Sequence, residues 1–477
     1  MSAATVAERL RETAAAERVR DALGERGGDW IVGGAVRDAA LGRPVADLDL
    51  AIAHDPRESA EAIARAAGGH AFELSEQFAT WRAAAGDDSW QVDLSVLRGG
   101  SIEADLSARD FTIGAVAVPL EGGGALDPHG GLADLERRLL RMVGERTFPD
   151  DPLRLLRAAR LAAELELELE AGTLAAARGI AERAAEPAGE RQLAELRLLL
   201  AGPAPLRGLA LMDELGITGV VLPEVEAMRG VGQNPNHHLD VLGHTLMVLE
   251  QTLELEAHLG RFTGDRAEEV AALLAEPLAD GLSRGDALRF GALLHDTGKP
   301  ATRKEGGGYV TFIGHDREGA AVIGRLCDRL RTSRRLSRHL QALARQHLRL
   351  GFMVPERPLP PRRVHEYLRA TEPVEVDVTL LTIADRLAAR GSGPIASEEM
   401  VEAHLELAGE MIGAALDWRR DGPPAPLLPG DELAAEVGIE PGPWLGEILA
   451  ELEAAQYAGE VTTREEAVDH ARWLARR

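Results

Sequence analysis

The sequence predicts an α+β protein in which a small mixed sheet near the N-terminus precedes a long, mostly α-helical remainder. Three observations carry this reading. Residues 30–53, WIVGGAVRDAALGRPVADLDLAIA, run from an apolar stretch through two glycines and a short helix into a second apolar strand. The chain is 477 residues long, and length alone suggests about three domains. Ala, Leu, Glu and Arg dominate while aromatics make up only 4%, a composition that favours helix and leaves material for one small sheet.

Residues 1–29 read as a polar, alanine-rich helix packed on the sheet. Trp30 to Val32 then form a buried strand, Gly33 and Gly34 a tight turn, and Ala35 to Leu41 a helix closed by Gly42, Arg43 and Pro44. Glycines there let the backbone approach a ligand closely. Their N–H groups, next to a helix N-terminus, suit an anion such as a triphosphate. The return strand, Ala46 to Ala53, sets Asp47 and Asp49 on one face and Leu48, Leu50 and Ile52 on the other. Two carboxylates side by side repel unless a cation lies between them, and hard oxygen ligands suit Mg²⁺. Beyond a turn at His54, Asp55 and Pro56, residues 57–67 read as a helix, and Gly68 to Arg82 and Trp90 to Leu97 as further strands. Asp93 reads equally as a third carboxylate beside Asp47 and Asp49 or as a strand end at the surface.

The formal net charge of −25 argues against general affinity for nucleic acid, so an RNA site must be a local arginine patch on an acidic body. The single cysteine, Cys327, excludes a disulfide framework and reads as a small buried hydrophobe. No early apolar leader and no run of 18 apolar residues is present, so neither export nor a membrane span is expected, and the cytoplasm is the expected location. No internal repeat or low-complexity segment interrupts the chain.

The GGAVRD block followed by ADLDLAI resembles the head of bacterial tRNA nucleotidyltransferases, the CCA-adding enzymes, and of their poly(A) polymerase relatives. The resemblance implies a polymerase-beta-like nucleotidyltransferase head over residues 1–145, in which Gly33, Gly34, Arg37 and Asp38 contact nucleotide and Asp47 and Asp49 hold catalytic Mg²⁺. Residues 107–118, SARDFTIGAVAV, resemble the family's RRDFT-type motif, which implies that Arg109 and Asp110 hold ribose and phosphates. Ala108 stands where a second Arg is usual and Gly114 where Asn is usual, which implies one weaker contact. DPHGGLADL, residues 127–135, resembles the family's DPxGGxxDL loop, with Asp127 as a polar anchor, and would serve a plain turn equally well.

Residues 150–160, DDPLRLLRAAR, stand where the family's EDxxR-type motif lies, on a helix expected to start at or just before Pro152. Arg154, Arg157 and Arg160 recur at i, i+3 and i+6 and share a face. Asp151 and Arg154 offer an acceptor and a donor of the kind that reads a base edge: the carboxylate takes the exocyclic amine of C or A, and the guanidinium meets the neighbouring ring nitrogen or carbonyl. The expected nucleotide-binding set is therefore Gly33, Gly34, Arg37, Asp38, Arg109, Asp110, Asp151, Arg154, Arg157 and Arg160. ERQLAEL at 190–196 resembles the next family motif, with Arg191 and Glu195 expected to brace the site. Residues 146–232 form the expected helical, nucleobase-binding neck.

A second constellation follows: His237, His238 and His244 in NPNHHLDVLGHTL, His295 and Asp296 in LLHDTGK, His315 in FIGHDREG, His347 in ARQHLRL and Asp385 in TIADRLAAR. It resembles the HD phosphohydrolase domain, expected over residues 233–395, whose pattern maps onto His244, His295, Asp296 and Asp385 as metal ligands. Mixed imidazole and carboxylate donors suit a divalent transition ion such as Mn²⁺ or Ni²⁺. His315 and His347 are expected to be exposed spectators, with a second ion as the alternative. Residues 396–477 form a helical tail with LLPGDEL and PGPWLG stretches, a candidate tRNA contact.

Together these readings imply transfer of CMP and/or AMP from CTP or ATP to the 3′ end of tRNA, with tRNA, ATP and CTP as partners. A poly(A) polymerase, or a metal-dependent HD phosphohydrolase with a nucleotide-binding head, are the alternatives.

Overall fold

The computed structural model describes residues 2–24, 27–75, 79–87, 89–307 and 309–476. The chain divides into two compact units, Met1–Val221 and Leu222–Arg477, so the head and most of the expected neck fall in the first, and residues 222–232 of that neck join the HD segment and tail in the second.

In the first unit, the expected N-terminal helix is two helices, α1 (Ala3–Arg11) and α2 (Ala14–Leu23), each opened by a hydroxyl side chain, Ser2 or Thr13, that accepts from a backbone N–H of the first turn. They lead into β1 (Trp30–Val32), α3 (Gly34–Leu41), β2 (Leu48–Ile52) and α4 (Pro56–Ala67). Asp55 caps α4 by accepting from the N–H groups of Arg57 and Glu58, Pro56 pre-sets its first turn, and Gly68, at φ 67°, ends it. The stretch expected as one strand from Gly68 to Arg82 is two antiparallel strands, β3 (His70–Ser75) and β4 (Thr80–Ala84); part of the connection between them lies outside the described residues. β5 (Gln91–Val96) and β6 (Ala117–Pro119) complete a six-stranded sheet of order β3-β4-β5-β2-β1-β6. Within this sheet, among the described residues, only β2 and β5 pair in parallel, because α4 and the strands β3 and β4 between them carry the chain across. α4 packs on β3, β4 and β5, with Ile63 and Ala60 buried against Val92 and Leu94 in the head core.

The Leu153–Glu164 helix follows, with Pro152 immediately ahead of it, and packs against the helices Gly189–Ala201 and Pro205–Leu215. Its apolar residues, Leu155, Leu156, Ala159 and Ala162 among them, are buried together with Arg160, while Arg154 and Arg157 stay half-buried.

In the second unit, the helix Val241–Ala257 packs on Arg284–Leu294 and on Glu375–Ala388, while His315–Leu330 packs on Arg334–Gln346. Two glycine contacts draw these helices close to the HD turn. A Cβ at Gly298 would fall 2.1 Å from the His315 carbonyl oxygen, and one at Gly291 would fall 2.5 Å from Leu343 Cδ1. The tail helices Gly430–Val437, Pro443–Tyr457 and Arg464–Ala475 share their own small core of Leu433, Ile448, Leu452 and Ala471. No helix among the described residues is long and apolar enough to cross a membrane.

Candidate active site and metal centre

Sheet register assembles the head site. In the parallel β2–β5 pair Asp49 lies directly opposite Asp93, and in the antiparallel β4–β5 pair Arg82 lies opposite Asp93. Arg82 donates to both Asp93 oxygens, at 2.6 and 2.8 Å, and its guanidinium also feels the charges of Asp47 and Asp49. Asp93 therefore stands beside both Asp49 and Arg82, while Asp47 and Asp49 reach that guanidinium through their charge alone. The sequence does not point to Arg82, whose only local signal is its alternation with buried Ala83 on a short strand.

Asp49 opens to solvent on one side and is packed by protein on the others. Burial first, then the charge of Asp93, pushes its carboxyl up from the ordinary value; Arg109, the Gly34 N–H and Arg82 pull the other way. Gly33, at φ 70°, is needed for the approach, since a Cβ there would fall 2.9 Å from Asp49 Oδ2 and 3.3 Å from Arg109 Nη1. Here the Gly34 N–H serves Asp49. Asp47 stands one residue before β2 begins and accepts from the backbone N–H and the side-chain amide of Gln91, both at 3.1 Å.

The remaining expected contacts are tied into ion pairs. Arg37 pairs with Asp38 at 2.9 Å, and Arg109 with buried Asp105 at 2.9 Å. Asp110 accepts from Arg157 at 2.8 Å; burial opposes its ionisation, but that guanidinium outweighs it and holds the carboxyl below its usual range. Arg157 also reaches Glu195 at 3.1 Å, and Arg160 reaches the other oxygen of Glu195 at 2.6 Å and Glu164 at 2.7 Å. Arg160 and Glu195 are buried, so this end of the arginine face is an internal brace. Arg154 differs: it donates to two backbone carbonyls, Thr147 at 3.1 Å and Ala108 at 2.8 Å. Asp151 pairs with Arg191 at 2.7 Å. Asp127 anchors its loop by accepting from the N–H groups of Gly131 and Leu132, at 2.7 and 2.9 Å.

In the second unit, the helix Arg284–Leu294 ends at the residue before His295, which caps it, and Asp296 lies in the turn beyond. His244 Nε2 lies 2.9 Å from Asp385 Oδ1 and 3.8 Å from Asp296 Oδ2, and His295 Nε2 lies 3.2 Å from the same Asp296 oxygen. The four expected ligands therefore converge, in a set of side chains able to hold a divalent cation. Lys299 Nζ stands 2.6 Å from Asp296 Oδ2 and donates to Gln233 Oε1 at 2.7 Å. His237 lies beside His244, with its pKa lowered to about 3 by burial and by Lys299, whereas His238 is exposed. His315 and His347 are not exposed spectators: they are 8% and 2% accessible and lie beside Asp296. The cluster opens into a cavity of about 700 Å³, lined also by Arg345, Arg349 and the exposed ring of Phe352.

Residues 29–141 match the Poly A polymerase head domain, residues 166–229 the probable RNA- and SrmB-binding site of polymerase A, and residues 241–390 the HD domain. The A-adding tRNA nucleotidyltransferase of Deinococcus radiodurans is 38% identical over 447 residues, 92% of this chain and 94% of its own length. This chain belongs to the tRNA nucleotidyltransferase family. The CC-adding tRNA nucleotidyltransferase of Thermus thermophilus is 35% identical over 444 residues, 91% of each chain. The fold agrees with that of solved members of this nucleotidyltransferase group. A CCA-adding enzyme solved with ATP has a TM-score of 0.61 at 20% identity, covering 95% of this chain and 92% of its own. The Thermotoga maritima CCA-adding enzyme solved with tRNA has a TM-score of 0.58 at 20% identity, covering 98% of each chain.

Proposed function

We propose that the chain transfers CMP, AMP or both, without a nucleic-acid template, from CTP or ATP to the 3′ end of tRNA, releasing pyrophosphate. The observation that carries this is the close approach of Asp49 to the Gly33–Gly34 turn, with Asp93 and Arg109 beside it, in a chain that matches A-adding and CC-adding tRNA nucleotidyltransferases over nearly its whole length. Those full-length relatives disfavour poly(A) synthesis, and they disfavour a head that only binds nucleotide.

Asp47 and Asp49 are the residues that would hold Mg²⁺. The crowding of Asp49 against Asp93, which raises its pKa, is the kind of environment a dication relieves. Mg²⁺ held there supplies activation of the tRNA 3′ hydroxyl and neutralises the leaving pyrophosphate. Gly33, Gly34, Arg37, Asp38, Arg109 and Asp110 hold the triphosphate and ribose. Asp151 accepts from the exocyclic amine of C or A, and Arg154 donates to the ring atom beside it, while U and G present a carbonyl where the amine is required. The departure at Ala108 does not disturb this pair, because position 108 contributes its carbonyl oxygen to Arg154. Arg157 and Arg160 act through Asp110 and Glu195, setting the helix that carries Arg154. His244, His295, Asp296 and Asp385 hold a divalent transition ion, for which imidazole and carboxylate together are the fitting donors. A tRNA substrate also accords with a cytoplasmic location.

The test is incorporation of labelled CMP and AMP on one tRNA lacking its last three residues and on another ending in CC. Addition to the first from CTP, to the second from ATP, or both, is expected. Incorporation on neither overturns the proposal.

A further inference from the structure

No Asp or Glu stands between Asp328 and Glu356, in a chain that carries 78 of them in 477 residues, while seven arginines fall in that interval. Half of the interval is the helix Arg334–Gln346, whose Leu336, Leu340 and Leu343 are buried where it packs on His315–Leu330 and Arg284–Leu294. The outer side carries the charge. Arg334, Arg338 and Arg345 recur at i, i+4 and i+11, which sets them within about 40° of one line along the helix and spreads them over about 16 Å. Arg335 flanks this row, and all four side chains are exposed. Among the described residues, none of the four forms an ion pair or donates a side-chain hydrogen bond. Arg329, just ahead, shows the contrast, since it pairs with Glu224 at 2.9 Å.

We propose that the row Arg334, Arg338 and Arg345, with Arg335 beside it, is a docking surface for the sugar–phosphate backbone of RNA. The proposal rests on the reading of tRNA as the substrate and assigns to it a surface outside residues 166–229, the segment that matches an RNA-binding site. A formal net charge of −25 repels a polyanion from most of this protein, so RNA is held where guanidinium groups gather with no carboxylate to neutralise them. Like charges along one helix face repel each other, and an external row of anions relieves that repulsion. Guanidinium groups also match phosphate oxygens through paired N–H donors. Among the described residues, no large apolar side chain is exposed between Arg334 and Arg345. A protein partner is met through apolar and aromatic side chains at the centre of its interface, whereas a nucleic-acid backbone asks for charge alone.

The test measures binding of one full-length tRNA to the full chain by fluorescence anisotropy over a series of salt concentrations. Three proteins are compared: the wild type, Arg334→Gln with Arg335→Gln and Arg338→Gln, and the same three positions changed to Lys. Each phosphate contact adds roughly 0.7 to 0.9 to the slope of log affinity against log salt, so the Gln variant is expected to lose about two from that slope and to bind about tenfold or more weakly near 0.1 M salt. The Lys variant is expected to keep the wild-type slope, because counterion release counts charges. Should the Gln variant lose its circular dichroism, Arg334→Gln and Arg338→Gln singly are each expected to lower the slope by about one. A Gln variant with the slope and affinity of the wild type overturns the surface, turns the row over to an acidic protein partner and leaves the transferase reading standing. A Lys variant as impaired in slope as the Gln variant also overturns it. A wild-type chain that does not bind tRNA at low salt overturns both readings.

Discussion

Asp49 and Asp93 face each other residue for residue across the parallel β2–β5 pair, and Arg82 bonds to Asp93 from the neighbouring strand. Two like charges are thereby held on adjacent strands, which lifts the Asp49 carboxyl, with burial as the larger cause.

Asp49→Asn separates catalysis from stability. Loss of the metal ligand is expected to remove several kcal/mol of transition-state stabilisation, on the order of a thousandfold in transfer rate. A carboxylate whose folded pKa is raised weakens the fold as pH climbs past its unfolded value, so in chelator at pH 7 the variant's Tm should equal or exceed that of the wild type. A clear fall in Tm, or transfer near the wild-type rate, contradicts this arrangement.

Glu195 is the hub of the brace, bonded to Arg157 through one oxygen and to Arg160 through the other. Glu195→Ala leaves the Arg160 guanidinium with Glu164 alone, so the loss is expected to fall below the roughly 3–5 kcal/mol of a fully unpaired buried charge. The combined change Arg160→Met, Glu195→Leu removes both charges and is expected to recover part of that loss. Denaturant unfolding of the three proteins decides it; a double variant less stable than Glu195→Ala would show that Glu164, the second partner of Arg160, outweighs Glu195 in holding that guanidinium.

His404 gives the second unit an acid sensitivity. It is buried, meets Thr382 Oγ1 at 3.1 Å, and has its pKa lowered to about 3 by burial and by Arg386. The unfolded chain takes up this proton near pH 6.5 and the folded one does not, so stability is lost as pH falls from 6.5 towards 3. By pH 5 this amounts to about 2 kcal/mol. In chelator, His404→Gln should flatten the dependence of Tm on pH between 6.5 and 5, by roughly 4–8 °C over that range. Superimposable curves for the two proteins would assign the acid response to other groups.

The features legible in the sequence were those written in local spacing. The strand, Gly-Gly turn, helix and return strand around Asp49 fall within two residues of where the apolar pattern sets them, and His244 lies beside His295 and Asp296 on one side and Asp385 on the other. What was not legible depends on partners distant in the chain. Periodicity showed that Arg154, Arg157 and Arg160 share a face, but not that Glu195, on another helix, neutralises two of them. Nor does any local pattern connect His315 with His347: they meet because Gly298 and Gly291 let two helices close on the HD turn. The stretch Gly68–Arg82, expected as strand throughout, holds two antiparallel strands, because an apolar pattern does not mark where the chain reverses.

Arg154 is the arginine of its face that ends on backbone carbonyls, Thr147 and Ala108, and so is oriented without a carboxylate to neutralise it at close range. Asp151, three residues earlier, is oriented by Arg191. If these two read the base, Arg154→Ala reduces the preference for CTP and ATP over UTP and GTP, since a good bidentate base contact carries roughly 1–3 kcal/mol, about five- to 150-fold in selectivity. If Arg154 serves phosphate instead, its loss weakens all four nucleotides alike, because a phosphate contact carries no base information. The measurement is kcat/KM for the four triphosphates on one truncated tRNA, in wild type and variant, with Arg191→Ala alongside to show whether freeing Asp151 alters the same ratio. A uniform fall across the four nucleotides in Arg154→Ala would remove the base-reading role and leave Arg154 as a tie between the Leu153–Glu164 helix and the segment around Ala108.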